Sequence, residues 1–201
     1  TNLAIHLIAM AEAGGFKITI EDIDEIASIT PIIANVYPNG TADVNEFHNS
    51  GGVAAFIGSL LDGGYLFNDV QTLLGHELDV YRNKLEIQDQ SLIWKNKSLI
   101  LDQSIIRDIN NPFRQTGGLK LLNGNLGKGV IKTSALKNPD KVIKGPAVVF
   151  DDQEDVLKAF NDGELNKDLI IVVRGQGPSA NGMPELHKLT SPLNVLQSKG
   201  F

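Results

Sequence analysis

Hydrophobic residues in the first part of the chain recur at helical spacing between glycine and proline breaks. Residues 3–13 are apolar almost all round, which predicts a helix that is buried on most of its faces. Thr19, followed by Glu21-Asp22, indicates the start of a capped second helix, and residues 43–49 suggest a short third one. Residues 53–62 and 68–80 complete the predicted set, so the first part of the chain is expected to be mainly helical.

The hydrophobic pattern changes near the middle of the chain. Residues 82–104 are polar and weakly patterned, which predicts a linker or a domain boundary there. Beyond this stretch, short apolar runs alternate with glycines, a pattern typical of strands. The second half is therefore expected to be β-rich and decorated by helices. Its predicted elements are strands at 119–122, 130–133, 146–150 and 169–173, and helices at 152–162 and 192–199.

Composition and charge narrow the class of protein. Apolar residues make up 42% of the chain and charged residues 21%, values typical of soluble globular domains. A net charge of −6 argues against a nucleic-acid partner, whose phosphates need a basic surface. No apolar run approaches the roughly 20 residues of a membrane helix, and the amino end has no secretion signal. We therefore expect a cytoplasmic protein without a nucleic-acid or membrane partner.

The sequence contains no cysteine, and its four histidines are too scattered to predict a local zinc site. The lack of cysteine excludes a disulfide framework, a thiolate nucleophile and a thiolate-ligated cluster within these residues. The chain opens at Thr1 inside an apolar helical stretch, and it ends at Phe201 just after a glycine typical of a helix C-cap. From these two ends we expect an internal fragment of a larger protein.

The most unusual stretch is residues 172–192, where an apolar strand leads into a loop rich in glycine and proline. Glycines let a backbone approach a ligand closely, and binding groups often lie on loops at strand ends. Glu185 and His187 stand beside the expected start of a helix. The Glu185 carboxylate is a candidate ligand for a hard metal ion or a candidate general base. The alternative is that it only complements the dipole of that helix.

Five long segments carry distinctive motifs along almost the whole chain. They are TNLAIHL at 1–7, NVYPNGTADVNEFHNSGG at 35–52, DINNPFRQTGGLKLLNGNLGKGVIKTSAL at 108–136, VFDDQEDVLKAFNDGEL at 149–165 and GQGPSANGMPELHKLTSPLNVLQSKGF at 175–201. In this order they resemble the family of dihydroxyacid and 6-phosphogluconate dehydratases, and within it the phosphogluconate branch. Several motifs in register are far more specific than one short pattern.

The resemblance implies a fold and a domain organisation. Residues 1–104 would be the helical C-terminal part of a cluster-binding α/β domain. Residues 105–201 would be the start of a β-rich, barrel-like second domain. The predicted fold class is therefore α/β, in the α+β sense.

The resemblance also implies a reaction, in which 6-phospho-D-gluconate is dehydrated to 2-keto-3-deoxy-6-phosphogluconate. An iron–sulfur cluster, 4Fe–4S, would act as Lewis acid on the departing hydroxyl, since hydroxide is a poor leaving group. The cluster ligands would precede Thr1 and the serine base would follow Phe201, so no catalytic residue is expected within the chain. A divalent ion such as Mg²⁺ and a homodimer are implied as well.

Matching by position carries some site residues over to this chain. Glu185, in Gly-Met-Pro-Glu, matches the element that supplies a divalent-metal ligand in the dihydroxyacid branch. Arg174 and Gln176 fall on the active-site loop and are candidate substrate-binding residues. Gly175 stands where the family usually has an aromatic residue, and Ser179 where it often has a basic one. These departures count against a phosphate contact from this loop.

Three further polar residues are candidates for contact with the substrate, a small sugar-acid phosphate. Asn2 and His6 are four residues apart and share one helix face, which could face the active site. The alternative is that both form hydrogen bonds inside the core. His48 precedes Gly51-Gly52 and could shape a phosphate-binding loop, because glycine-rich helix starts present free N–H groups. A simple turn-and-cap role is the alternative for His48.

Two other functions stay open. One is that of a sister dehydratase acting on dihydroxyacids or unphosphorylated sugar acids. The other is that of a non-catalytic binding module derived from the family, which the missing cysteines would favour if the chain were complete.

Overall fold

The computed structural model describes residues 2–134, 136, 138, 142–177 and 187–201, and only the backbone of Asn2 and of His187. The chain divides into two compact units, which are described separately. Unit 1 consists of Thr1 and His6–Pro139, and unit 2 consists of Asn2–Ile5 and Asp140–Phe201.

The first third of the chain carries four helices, at the places where the hydrophobic pattern and the capping residues predict them. Two of their starts are capping boxes. The Thr19 hydroxyl accepts from the Asp22 N–H at 3.3 Å, while the Asp22 carboxylate accepts from the Thr19 N–H at 2.7 Å. Asp43 and Glu46 repeat this arrangement one helix later. The helices are α1 (Asn2–Ala13), α2 (Ile20–Ile29), α3 (Val44–Asn49) and α4 (Gly52–Asp62).

The predicted burial of α1 on most of its faces is wrong for the described residues. Leu3 is 74% exposed and Met10 is 70% exposed, whereas Ala4 is buried. An apolar sequence indicates a tendency to be buried, but burial itself requires other elements to cover the helix. The helix is therefore correctly placed, and its predicted packing is not observed in this chain.

The helix predicted at 68–80 is also wrong. This stretch forms the short hairpin of β1 (Gln71–Thr72) and β2 (Gly75–His76), followed by a 3₁₀ turn at Asp79–Arg82. Gly75 has φ of 118°, a conformation that glycine adopts without the steric cost other residues incur. The clustered leucines mimic helical spacing, while Gly75 fixes a chain reversal that a helix cannot contain.

Residues 82–104 contain a hairpin rather than the predicted linker. Its strands are β3 (Asn83–Gln88) and β4 (Ser91–Lys97), joined by the two residues Asp89 and Gln90. Both loop residues have positive φ, 49° and 63°, as the tight turns of two-residue hairpins require. The usual Asn-Gly signal for such a turn is absent, which is why the sequence pattern did not indicate a hairpin here.

Arg82 ties this hairpin to α4. Its Nη2 donates to the Gly58 carbonyl at 2.9 Å and also to Asp62, and its Nη1 donates to Asp79 at 3.0 Å. Lys97 reaches Asp62 at 3.0 Å from the neighbouring strand. Arg82 and Lys97 together hold the pKa of Asp62 below its ordinary value. The two cations therefore hold one carboxylate, at the end of α4, in its charged form.

The remaining part of unit 1 pairs distant segments around a small core. Ile33 and Ile106 are almost fully buried, and residue 34 pairs with residue 106 in an antiparallel bridge. The hairpin of β5 (Leu119–Gly124) and β6 (Gly127–Lys132) confirms the strands predicted there.

The β5–β6 hairpin is attached to α2 by two carboxylates. The Asp24 carboxylate accepts from the Leu121 N–H at 2.7 Å and from Lys120 Nζ at 3.2 Å, and Glu21 pairs with Lys128. The Leu121 N–H, followed by Lys120, lowers the pKa of Asp24, and Lys128 lowers the pKa of Glu21. The charged forms of both groups are therefore the ones that the folded chain stabilises.

This arrangement predicts a loss of stability in acid. A carboxylate whose pKa is lower in the folded chain stabilises it above the unfolded pKa, about 4, and loses that contribution as the pH falls through the folded value. The free energy of unfolding should therefore fall between pH 5 and pH 3. Urea titrations followed by the fluorescence of Trp94, the only tryptophan, would measure it. Asp24→Asn should be less stable at pH 7 and fall less steeply; an unchanged slope would contradict this account.

Unit 2 is built around a β-α-β arrangement. Strands β7 (Ala147–Phe150) and β8 (Ile170–Val173) pair in parallel, with α5 (Gln153–Asn161) between them in sequence. A 3₁₀ turn at His187–Leu189 leads into α6 (Thr190–Ser198). These elements confirm the strands and helices predicted for this region. Its core consists of Val156, Ala159, Leu165, Leu189 and Leu196.

The mixture of helices and small sheets confirms the predicted α/β class. The barrel-like architecture of the second domain and the boundary between residues 104 and 105 stay predictions.

Candidate functional site

The candidate site lies at the carboxyl ends of β7 and β8. The two strands are parallel and in register from Ala147 opposite Ile170 to Phe150 opposite Val173. Parallel strands end at the same edge of a sheet, and ligands of open α/β sheets bind outside that edge. The first residues beyond the two strands there are Asp151 and Arg174.

Arg174 is held by the end of the neighbouring strand. Its N–H donates to the Phe150 carbonyl at 2.8 Å, which extends the strand pairing by one residue. Its Nε and Nη2 approach one oxygen of Asp151, at 2.8 and 2.7 Å. Both side chains are largely exposed, at 65% and 75%. The guanidinium has five N–H donors, so the edge not facing Asp151 remains suited to a carboxylate or a phosphate.

The far end of the loop that begins at Arg174 contacts the first turn of α5. Lys188, in the turn before α6, donates to the Glu154 carboxylate. Glu154 lies in the first turn of α5, where its N–H donates to Asp152, the N-cap residue, at 2.8 Å. Glu154 is the main reason that the pKa of Lys188 is raised. The described ends of the loop therefore contact Asp151, in the turn between β7 and α5, and Glu154, in the first turn of α5.

Arg174 and Gln176, two of the predicted substrate-binding residues, lie at this edge of unit 2, where Arg174 is exposed and Gln176 half-buried. Glu185, the predicted metal ligand, belongs to residues 178–186 and lies outside the described residues. The roles of these three residues stay predictions, and the structure describes the strand end from which their loop starts.

His48 lies in unit 1, in the last turn of α3, with an exposed side chain. Gly51, the N-cap of α4, provides no side-chain cap, and its carbonyl accepts from the Ser98 hydroxyl at 2.9 Å. A cavity of about 370 Å³ opens beside this junction. Its lining includes His48, Gly52, Tyr81, Lys84 and Trp94.

Asn2 and His6 occupy one side of α1, as their spacing predicts. The His6 side chain is exposed, which excludes the alternative that it is hydrogen-bonded inside the core of this chain. The side chain of Asn2 lies outside the described atoms.

Comparison with known proteins shows which family the chain belongs to. The family model described as dihydroxy-acid/6-phosphogluconate dehydratase N-terminal matches residues 1–81, and the corresponding C-terminal model matches residues 104–200. The chain belongs to the dihydroxy-acid/6-phosphogluconate dehydratase family. The resemblance found in its motifs is thereby confirmed.

Individual members of the dehydratase family align with the whole chain. It is 46% identical to a phosphogluconate dehydratase of Pseudomonas aeruginosa and 45% identical to one of Escherichia coli. It is 32% identical to a dihydroxy-acid dehydratase of Prochlorococcus marinus. These alignments cover 100% of the chain and 33–34% of each relative. The chain thus spans about a third of the length of the curated relatives it matches.

The residues of this chain do not provide the ligands of the cluster that the family implies. A 4Fe–4S cluster does not fit this chain, because the sequence has no cysteine to supply thiolates. Among the described residues, no three histidine, aspartate or glutamate side chains are grouped closely enough to hold a metal ion.

The helices of the described part of the chain are all too short or too polar to span a membrane.

The acidic partners of the loop, Asp151 and Glu154, are not among the site residues predicted from the sequence. A signal was present, because the run Asp-Asp-Gln-Glu-Asp at 151–155 directly follows a predicted strand. Its capping role, with Asp152 as N-cap, was recognisable from the pattern alone. The pairing with Arg174 and Lys188 was not, since it depends on β7 and β8 being neighbours in space.

Proposed function

We propose that the intact protein containing this chain dehydrates 6-phospho-D-gluconate to 2-keto-3-deoxy-6-phosphogluconate, as a hydro-lyase of carbohydrate metabolism in the Entner–Doudoroff pathway. The observation that carries the proposal is the difference in identity between the two branches of the family. Seven phosphogluconate dehydratases are 42–46% identical to the chain, against 32% for the dihydroxy-acid dehydratase.

The reaction removes a proton beside the carboxylate and a hydroxide from the next carbon, and the resulting enol becomes a 2-keto acid. Such a substrate carries two anionic groups, a carboxylate and a phosphate. The protein must therefore supply cationic or N–H donor groups at both ends of a chain of six carbons. We assign to this chain the binding of substrate and of a divalent ion. The 4Fe–4S cluster of the proposal would be held by residues outside it.

Arg174 is the proposed contact for one anionic group of the substrate, with Gln176 as a neutral partner on the same loop. The support is the position of Arg174 at the carboxyl edge of β7 and β8, where Asp151 orients the guanidinium. A guanidinium fixed along one edge can form two parallel hydrogen bonds to a carboxylate along another.

His48 is proposed as a further substrate-binding residue, on the evidence of unit 1 by itself. The cavity beside α4 supports this role, because Lys84 and the start of the helix line it together with His48. Asn2 and His6 are proposed to contact the substrate from α1. Glu185 is proposed as the ligand of a divalent ion such as Mg²⁺, and the intact protein as a cytoplasmic homodimer.

The test is a comparison of substrates with the intact protein, reconstituted with iron and sulfide. We expect formation of a keto acid from 6-phosphogluconate, with kcat/KM at least about tenfold above that for gluconate or for a 2,3-dihydroxyacid, since tenfold corresponds to about 1.4 kcal/mol of discrimination. A preference for either competitor would instead support a sister dehydratase. No turnover with any of them would favour a non-catalytic module.

The 201-residue chain by itself is the control for this assay. Having no cysteine, it should show neither the brown colour of a cluster nor turnover. Activity of the isolated chain would contradict the division of roles proposed here.

A further inference from the structure

We propose that Arg114, in unit 1, is the centre of a binding site for a small oxyanion, a phosphate or a carboxylate group, with the amide of Asn39 as its second donor. This site goes beyond the proposed function and does not depend on it, because every contact that supports it lies within unit 1. The evidence begins with the partners of the four arginines of the chain.

Three of these arginines have a partner that compensates the charge of the guanidinium. A carboxylate does so by an ion pair, and the face of an aromatic ring does so by a cation–π contact. The partners are Asp62 and Asp79 for Arg82, Asp151 for Arg174, and the ring of Phe113, with its centre 4.2 Å away, for Arg107.

Arg114 has no partner of either kind among the described residues. The hydrogen bond of its side chain in that part of the chain is a long one, from Nη1 to the Thr133 carbonyl at 3.4 Å. The chain has 24 acidic residues against 18 lysines and arginines, so a shortage of acids is not the reason.

The missing partner matters because Arg114 is half-buried, so its charge loses part of its hydration. Removing a charge from water costs free energy unless an opposite charge or hydrogen bonds compensate for it. A guanidinium offers five N–H donors, and it binds carboxylate and phosphate groups through two parallel hydrogen bonds. A bound oxyanion would therefore supply the compensation that the described residues do not.

The backbone of Arg114 is fixed beside the core of unit 1. The Ile32 N–H donates to the Arg114 carbonyl at 2.9 Å, and the two residues form an antiparallel bridge. Ile33, the next residue, is 1% exposed. The side chain of Arg114 thus starts from a rigid position, although it takes no part in this pairing itself.

Asn39 lies next to the residue that Arg114 contacts. Ser134 follows Thr133 directly, and its hydroxyl donates to Asn39 Oδ1 at 2.8 Å. With its oxygen held by Ser134, the Asn39 amide directs Nδ2 away from that hydroxyl. Nδ2 carries two N–H donors, and neither forms a hydrogen bond with another described residue. A guanidinium and an amide nitrogen are therefore held at two consecutive residues, 133 and 134.

Close packing fixes both sides of this arrangement. A methyl group on Gly118 would overlap the Ser134 hydroxyl, and one on Gly40 would overlap the carbonyl of Asn35. The turn that carries Asn39 is closed by the Tyr37 N–H, which donates to the Ala42 carbonyl at 2.9 Å. Donors that are held in place before the ligand arrives lose little freedom on binding, which favours affinity.

The test is the binding of inorganic phosphate to the intact protein, measured by equilibrium dialysis with radiolabelled phosphate. Chloride keeps the ionic strength constant, so that screening does not change. Arg114→Gln should weaken the binding of one phosphate per chain by at least about tenfold, because the charge and the paired hydrogen bonds are lost together. Arg114→Lys keeps the charge without the fork of donors, so it should weaken binding less.

Asn39→Asp provides a second variant of nearly unchanged size. Its carboxylate can still accept from Ser134, but it places a negative charge beside the anion, so phosphate binding should again weaken by at least about tenfold. This variant decides the question by itself if Arg114→Gln does not fold, which circular dichroism would show.

Arg107→Gln is the matched control, because it also removes a half-buried arginine of unit 1. The guanidinium of Arg107 already has the Phe113 ring as its partner, so its loss should leave phosphate binding unchanged. Wild-type affinity and stoichiometry in both Arg114→Gln and Asn39→Asp would overturn the site. So would an equal weakening in the control, which would indicate a general effect of net charge.

A competition experiment distinguishes the possible sources of the oxyanion. If 6-phosphogluconate displaces the phosphate that depends on Arg114, the site takes a group of that sugar acid. If the phosphate stays bound, the site takes a separate anion, and both results support an oxyanion site at Arg114. The measurement requires no turnover, so a protein without dehydratase activity would refute the proposed function while dialysis still decided the oxyanion site.

Discussion

Replacement of Glu185 by glutamine in the intact protein should lower kcat on the order of a hundredfold or more while leaving the protein folded. A hard divalent cation prefers charged oxygen ligands, and the amide keeps the size of the side chain but removes its charge. Steady-state assays across a range of Mg²⁺ concentrations would measure the loss, and the Mg²⁺ concentration for half-maximal activity should rise. Circular dichroism would show that the fold is kept.

The competing explanation for Glu185 makes the opposite prediction from the same variant. If the carboxylate only complemented a helix dipole, its neutralisation would cost about 0.3–1 kcal/mol of stability and little activity. Glu164→Gln is a matched control, because Glu164 is an exposed glutamate of unit 2 outside the proposed site. Near-normal turnover of Glu185→Gln, equal to that of the control, would remove Glu185 from the proposed metal site.

The elements of unit 2 were predictable because local signals determine them. A continuous apolar run such as 169–173, ended by a charged residue and glycine, indicates a buried strand whatever surrounds it. Asp152 indicates the start of α5 for the same reason, since a capping side chain bonds to a backbone only two or three residues away. Predictions of this kind need no knowledge of the partners in space.

The β1–β2 and β3–β4 hairpins of unit 1 were missed because their signals conflict. Residues 82–104 alternate weakly, and the turn at Asp89 and Gln90 uses residues that pay a conformational cost for positive φ. The ion pairs of Arg82 and Lys97 with Asp62 attach the β3–β4 hairpin to α4 and stabilise it. Such tertiary support is invisible in a local pattern, and so are the acidic partners of the candidate loop. The residue types at the site were thus predictable, whereas their pairing was not.

Gly51→Ala should be the most damaging of the small substitutions around the cavity beside α4, with a loss of about 2–5 kcal/mol in the free energy of unfolding. Two causes add. Gly51 has φ of 122°, a conformation that residues with a side chain rarely adopt. A methyl group there would also lie 2.5 Å from the Leu99 carbonyl oxygen and 2.7 Å from the Ala55 side chain. Both distances are shorter than non-bonded atoms allow, so the methyl group would clash.

Gly64→Ala separates these two causes. Gly64 also has positive φ, 72°, but no atom lies within 4 Å of a methyl group placed on it. Its substitution should therefore cost only the backbone term, about 1–2 kcal/mol. Urea unfolding followed by Trp94 fluorescence reports on unit 1, since Trp94 lies in β4 beside the cavity. Equal losses for the two variants would contradict a role for close packing at Gly51. A clearly larger loss for Gly51→Ala would mean that the junction holding His48 tolerates no added atom, because the Leu99 backbone already occupies the space.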